Sequence, residues 1–184
     1  MGRFWPWPPP RGSSVRDEAR GGAPGSGIQE EESFRIGVEY EGTEFRGWQR
    51  QPRARTVQGE LERALERIVG TKVTVNGAGR TDAGCHAAGQ VASFAAVTRL
   101  APERLLRALN AHLPTDVRVV EAALAPRGFH ARFRAMRRSY RYLIVPEPTA
   151  LRRRHAWARP MRVGAGELNA AVRPLLGEHD FTTF

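Results

Sequence analysis

Gly79-Arg80-Thr81-Asp82-Ala83-Gly84-Cys85-His86-Ala87 lies between two stretches with strand character. Val73 and Val75 precede it; Val91, Ser93 and Ala95 alternate with Ala92 and Phe94 after it. The run is therefore a loop carried between two strands. It gathers a carboxylate, a cation two residues earlier and two flanking glycines. Glycine lets backbone approach a ligand closely and tolerates unusual dihedrals. A carboxylate beside an arginine stays ionised at neutral pH, as a nucleophile must. By themselves these residues also describe an ordinary β-turn in which Asp82 caps its own backbone.

Working outward, Phe34, Ile36, Val38 and Tyr40 alternate with polar or small residues and read as a strand. From Thr56 the period changes. Val57, Leu61, Ala64, Leu65 and Ile68 share one helical face, with Thr56 as N-cap and Gly70 as the stop. Pro102 opens a second helix lined by Leu105, Leu106, Leu109 and Leu113. Val117-Arg118-Val119-Val120 reads as the fourth strand. The order β-α-β-β-α-β predicts an α+β fold with a ferredoxin-like unit over residues 34–125, carrying the loop 79–87. Residues 126–184 read as a basic, incomplete second subdomain, with a strand from Tyr140 to Val145 and a helix from Glu167 to Leu176. Residues 1–33 are rich in Pro, Gly and Arg and cannot bury enough apolar surface to offset chain entropy; a disordered tail is expected there.

The net charge of +10 is unevenly spread. Between Arg127 and Arg162 there are eleven arginines against one acid, Glu147, with Tyr140, Tyr142 and Trp157 interleaved. Such a segment is the footprint of a polyanion such as nucleic acid. An arginine-rich face reflecting only a GC-rich genome would not explain the clustering. No apolar run approaches the roughly 20 residues of a membrane span. The N-terminus has no continuous apolar segment of a secretory signal. The single cysteine, Cys85, excludes an internal disulfide and a Cys-based zinc site. A soluble cytoplasmic protein is expected.

The loop resembles the signature of the TruA-type tRNA pseudouridine synthases, Gly-Arg-Thr-Asp-Ala-Gly-Val-His, with Cys85 where that family usually has valine. Other landmarks follow in the family's order. They are Val38-Glu39-Tyr40-Glu41-Gly42-Thr43, Gly47-Trp48-Gln49-Arg50-Gln51, Thr56-Val57-Gln58-Gly59-Glu60-Leu61 and Asn110-Ala111-His112-Leu113-Pro114. Phe129-His130-Ala131-Arg132-Phe133, Tyr140-Arg141-Tyr142 and Gly177-Glu178-His179-Asp180-Phe181-Thr182 complete the series, so the resemblance covers about residues 34–184.

The resemblance implies isomerisation of uridine to pseudouridine in the tRNA anticodon arm, at positions 38, 39 and 40. That reaction needs no metal or cofactor. Asp82 is the implied nucleophile, attacking ribose C1′ or base C6. Arg80 is implied to pair with it and to hold the flipped nucleotide, and Tyr140 to pack on the target base. Tyr142 would share its strand face by the two-residue period, but ordinary packing explains it better. Arg152, Arg153 and Arg154 are candidate phosphate contacts, with Arg132 and Arg46 weaker ones. Family members are homodimers, so a homodimer holding one tRNA across two subunits is implied. His86, His130 and His179 form no metal-ligand spacing, and Cys85 lacks the surroundings of an activated thiolate.

Two alternatives remain. The element order also suits a non-catalytic RNA-binding module, although Gly89-Gln90-Val91-Ala92-Ser93-Phe94 lacks the aromatics of such a strand. The chain also stops just after Thr182, where TruA-type chains continue. It is therefore expected to be a fragment that is inactive, or nearly so, by itself.

Overall fold

The computed structural model describes residues 30–160 and 163–182. The tail reading falls largely on residues 1–29 and Arg162 sits in the second gap, so both lie outside the described residues.

The sheet is built on β1 (Glu32–Tyr40), which pairs antiparallel with both β3 (Ala87–Ala96) and β4 (Val117–Ala125). β2 (Asn76–Gly77) adds to the far edge of β3, giving the order β2-β3-β1-β4 with every neighbour antiparallel. Helices α1 (Val57–Val69) and α2 (Pro102–His112) cover one face. Phe34, Ile36 and Val38 of β1 and Phe94 of β3 meet Leu61 and Leu65 of α1 and Leu105 and Leu109 of α2 in the core. The chain is thus a mixed α and β fold on an antiparallel sheet.

Local signals explain the helix ends. The Thr56 hydroxyl accepts from the Gly59 amide at 3.3 Å, and Gly70 closes α1 with φ 77°. The amides of Val57 and Gln58, left free by the helix geometry, donate to the carbonyls of Gly47 and Trp48. Asn110 near the end of α2 acts as a substitute strand for β4. Its carboxamide donates to the Val119 carbonyl and accepts from the Val119 amide, each at 2.8 Å.

Three expectations need correction. Val73 and Val75 are buried but not in a strand; the short strand lies just after them, at Asn76–Gly77. The reason is Glu62 and Gln58 of α1. The Val75 amide donates to Glu62 at 3.1 Å, and the Val75 carbonyl accepts from Gln58 at 3.0 Å, so helix side chains take the bonds a ladder would have used. The strand expected from Tyr140 to Val145 shrinks to β5 (Ile144–Val145), parallel to β6 (Trp157–Ala158). Ahead of it the Arg138 guanidinium donates to the Ala78 carbonyl, tying the chain to the loop rather than to a sheet edge. Tyr140 and Tyr142 therefore share no strand face; both are exposed. The helix expected from Glu167 to Leu176 becomes α3 (Ala165–Val172) followed by a 3-10 turn, Arg173–Leu175. Pro174 lacks the amide that the α-helical ladder needs.

Candidate active site

The Asp82 loop is fastened along its length. The Ala78 amide donates to the Val91 carbonyl at 2.7 Å, and the Gln90 carboxamide donates to the Gly79 carbonyl at 2.7 Å. The Thr81 carbonyl accepts from the Trp48 amide at 3.0 Å. Its hydroxyl lies 2.8 Å from the Tyr40 phenol. The Cys85 amide returns to the Asp82 carbonyl at 3.2 Å, closing a turn around the carboxylate.

The segment 42–48 forms the bed of this loop, and two glycines make the fit possible. Gly47 has φ +88°, and a Cβ there would stand 2.7 Å from the Thr81 carbonyl oxygen. A Cβ on Gly42 would stand 1.9 Å from the Cys85 carbonyl oxygen. Neither contact is compatible with a side chain. Within the bed, buried Phe45 accepts the Gly84 amide on its carbonyl and carries the Arg55 guanidinium 4.1 Å from its ring centroid. Arg55 is gripped in bidentate fashion by Asp116 at 2.7 and 2.8 Å and reaches Glu60 at 3.2 Å. The hydrogen bonds from Arg55 hold the Asp116 carboxyl below its ordinary pKa, and those to Asp116 raise that of Arg55.

Around this frame stand the residues singled out from the sequence. Asp82 and Arg80 are both exposed, and no ion pair joins them among the described residues. Tyr140 is 72% exposed. Burial pushes the Tyr40 phenol above its ordinary pKa; hydrogen bonds with Thr81 and Gln90 oppose the rise, and nearby Cys85 and Tyr140 add to it.

The arginine-rich segment divides in two. Arg154 pairs with Glu41 at 3.7 Å and Glu44 at 3.8 Å, Arg138 binds the loop, and Arg159 lies 4.6 Å over the Trp157 ring. Arg127, Arg132, Arg134, Arg137, Arg141, Arg152 and Arg153 are exposed and make no ion pair among the described residues. Arg46 is exposed at the edge of the bed. Arg152, Arg153 and Trp157 line a groove of about 570 Å³ beside β5 and β6.

Several supporting residues escaped the sequence reading. Ser33 and Ser93, on the sheet face away from the helices, accept the amides of Gly128 and Ala131 at 3.1 and 2.9 Å. They lay the Phe129–Phe133 run across that face. Arg55 precedes the N-cap Thr56, but its partner Asp116 is 61 residues away, and no local pattern links them.

The matches with known proteins agree with this geometry. The tRNA pseudouridine synthase family matches residues 36–134, which include the second half of the central strand, the Asp82 loop and the sheet-crossing segment. The chain belongs to that family. It is 44% identical over 153 residues to tRNA pseudouridine synthase A of Chlorobaculum tepidum, covering 83% of this chain and 62% of the relative. It is 47% identical over 154 residues to the protein of that name from Bradyrhizobium diazoefficiens (82% and 63%) and 48% over 155 to that from Methylacidiphilum infernorum (82% and 60%). The chain spans about three-fifths of the length of these relatives.

Proposed function

We propose that this protein converts uridine to pseudouridine in tRNA, at positions 38, 39 and 40 of the anticodon arm. The N1–C1′ bond of the uridine breaks, a C5–C1′ bond forms, C5 loses its proton and N1 gains one. Asp82 is the nucleophile, at C1′ or C6. The observation that supports this most is an exposed carboxylate, free of any ion pair among the described residues, on a loop hydrogen-bonded to two neighbouring segments. Such fixation suits covalent catalysis, where the attacking oxygen must be held in place.

Arg80, unpaired with Asp82, is available to the nucleotide itself and holds it out of the helix. Flipping costs a few kcal/mol. Stacking on Tyr140, worth roughly 1–3 kcal/mol, offsets part of it. Arg132, Arg152 and Arg153 bind backbone phosphates, and Arg154 joins them only by leaving Glu41 and Glu44. The strand order β2-β3-β1-β4 supports a ferredoxin-like unit for residues 34–125, with 126–184 as a basic second subdomain. A cytoplasmic homodimer belongs to the same proposal. No described helix is long and apolar enough to cross a membrane.

The test is tritium release from tRNA labelled at uridine C5, using the protein expressed from its own gene. Release by the wild type and none by Asp82→Asn, at tRNA affinity within a few-fold, is expected. Tight tRNA binding without release would point instead to a non-catalytic RNA-binding module or to a chain of this family that is inactive by itself.

A further inference from the structure

We propose that His86 is a positioning residue. As a neutral imidazole with its proton on Nε2, it clasps the Asp82 loop to the bed and to the arginine-rich segment. Its catalytic consequence rests on Asp82 being the nucleophile. The tautomer follows from the partners. Nδ1 lies 3.1 Å from the Gly42 amide, which can only donate, so this bond uses the Nδ1 lone pair; Glu41, 3.3 Å from the same atom, would bond only to a protonated Nδ1 and is the longer contact. Nε2 meets the Arg154 carbonyl, which can only accept, so Nε2 must carry the proton.

One ring therefore joins three stretches distant in sequence: the turn after β1, the loop before β3 and the segment between β5 and β6. The position is guarded. The His155 ring lies against it, 4.7 Å between centroids. Glu41, the competitor for Nδ1, is drawn the other way through its second oxygen by Arg154, which also reaches Glu44. The Gly42 amide belongs to the same residue whose missing Cβ admits the Cys85 carbonyl. The bed thus grips residues 85 and 86 together, directly after the turn that holds Asp82. Loss of the ring frees the end of this loop and removes one of its ties to the arginine-rich segment, leaving those through Arg138 and Arg154. The expected defect is in turnover rather than in tRNA capture, because the exposed arginines remain.

Two sets of measurements test this. In long-range ¹H–¹⁵N spectra above neutral pH, His86 should show a protonated Nε2 and a bare Nδ1, and the Gly42 amide should exchange slowly. A proton on Nδ1, or fast Gly42 exchange, overturns the clasp whether or not the protein has activity. The second set compares His86→Ala, His86→Gln and His86→Asn in tritium release. The side-chain oxygen of Asn can stand where Nδ1 stands and accept from Gly42. His86→Ala should lose at least tenfold in kcat, with KM for tRNA within threefold and with fast Gly42 exchange. His86→Asn should recover most of both, and His86→Gln little of either. A loss confined to KM, full kcat in His86→Ala, or no recovery in a folded His86→Asn overturns the positioning role. An inactive wild type with the expected spectra would count against catalysis by this chain and leave the clasp standing.

Discussion

Replacing Gly42 by alanine should cripple turnover while leaving most of the fold intact. The added Cβ would stand 1.9 Å from the Cys85 carbonyl oxygen and 2.4 Å from its carbon. Both are backbone atoms, so no side chain can swing aside to relieve the clash. Reaching even 3.0 Å demands a retreat of about 1.1 Å by one backbone segment. The Cys85 amide is bonded to the Asp82 carbonyl, so that retreat is passed to the turn holding the carboxylate. A misplacement of about 1 Å at a reacting group can cost on the order of a hundredfold in rate. Overpacking of this kind costs typically about 1–3 kcal/mol of stability, which a domain with an intact core survives. The assay is single-turnover tritium release, read beside urea unfolding. Gly89→Ala is the control, because a Cβ at Gly89 meets nothing within 4 Å. Turnover of Gly42→Ala within threefold of the control would refute the idea that the bed at Gly42 sets the position of Asp82.

tRNA affinity should fall steeply with salt. If about five phosphates are neutralised, the log–log slope is roughly −3 to −5. Arg152→Gln with Arg153→Gln should flatten it, and an unchanged slope would mean that these two are only solvated. Asp116→Asn should lower stability by about 1 kcal/mol at neutral pH, discounted for partial exposure of the pair. The sign follows from the lowered carboxyl pKa. The contribution is complete above the unfolded value of about 4 and disappears as pH falls through the lower folded value. Urea midpoints of wild type and variant should therefore converge below about pH 4; a constant gap down to pH 2 would argue against an ionic role. Gly77→Ala should disturb Trp48, because its Cβ would stand 2.6 Å from the buried indole; an unchanged tryptophan emission spectrum would contradict that contact.

What could be read from the sequence depended on how local the cause was. α1 was legible because its cap, apolar face and glycine stop lie within fifteen residues of one another. β1 was legible because its apolar residues alternate onto the one face that the helices cover. Val73–Val75 was misassigned because two helix side chains supply its hydrogen bonds, and periodicity carries no information about that. β4 runs on to Ala125, beyond its Val-rich start, because the nine-residue β1 offers a partner along that length. The Ala-rich end lacks strand propensity of its own, and pairing decides it. Tyr140–Leu143 failed in the opposite direction, with strand-like residues but no partner strand among the described residues.

The site divides along the same line. Asp82, Arg80 and Tyr140 are candidates through the family resemblance of the short motifs that hold them, yet the pairing implied for Arg80 with Asp82 is absent from the described ion pairs. The glycine-bearing runs 42–47 and 79–84 are separate in sequence, and their relation becomes plain only in space. Gly42 and Gly47 exist to admit the carbonyls of Cys85 and Thr81. The two motifs are the two halves of one backbone contact, and neither half has a reason without the other. The same holds for the charges. Summed along the chain, the segment from Arg127 to Arg162 looks uniformly available to a polyanion. In space Arg154 is committed to Glu41 and Glu44 and Arg138 to a carbonyl, so part of the cluster fastens the segment to the loop and the rest faces solvent. Under the proposed function, that division would let an arginine-rich strip attract RNA while staying fixed relative to the Asp82 loop. A uniformly solvated strip would supply affinity without alignment. Arg138 and Arg154, held by protein partners, beside Arg152 and Arg153, which make no ion pair among the described residues, would supply both in the proposed function.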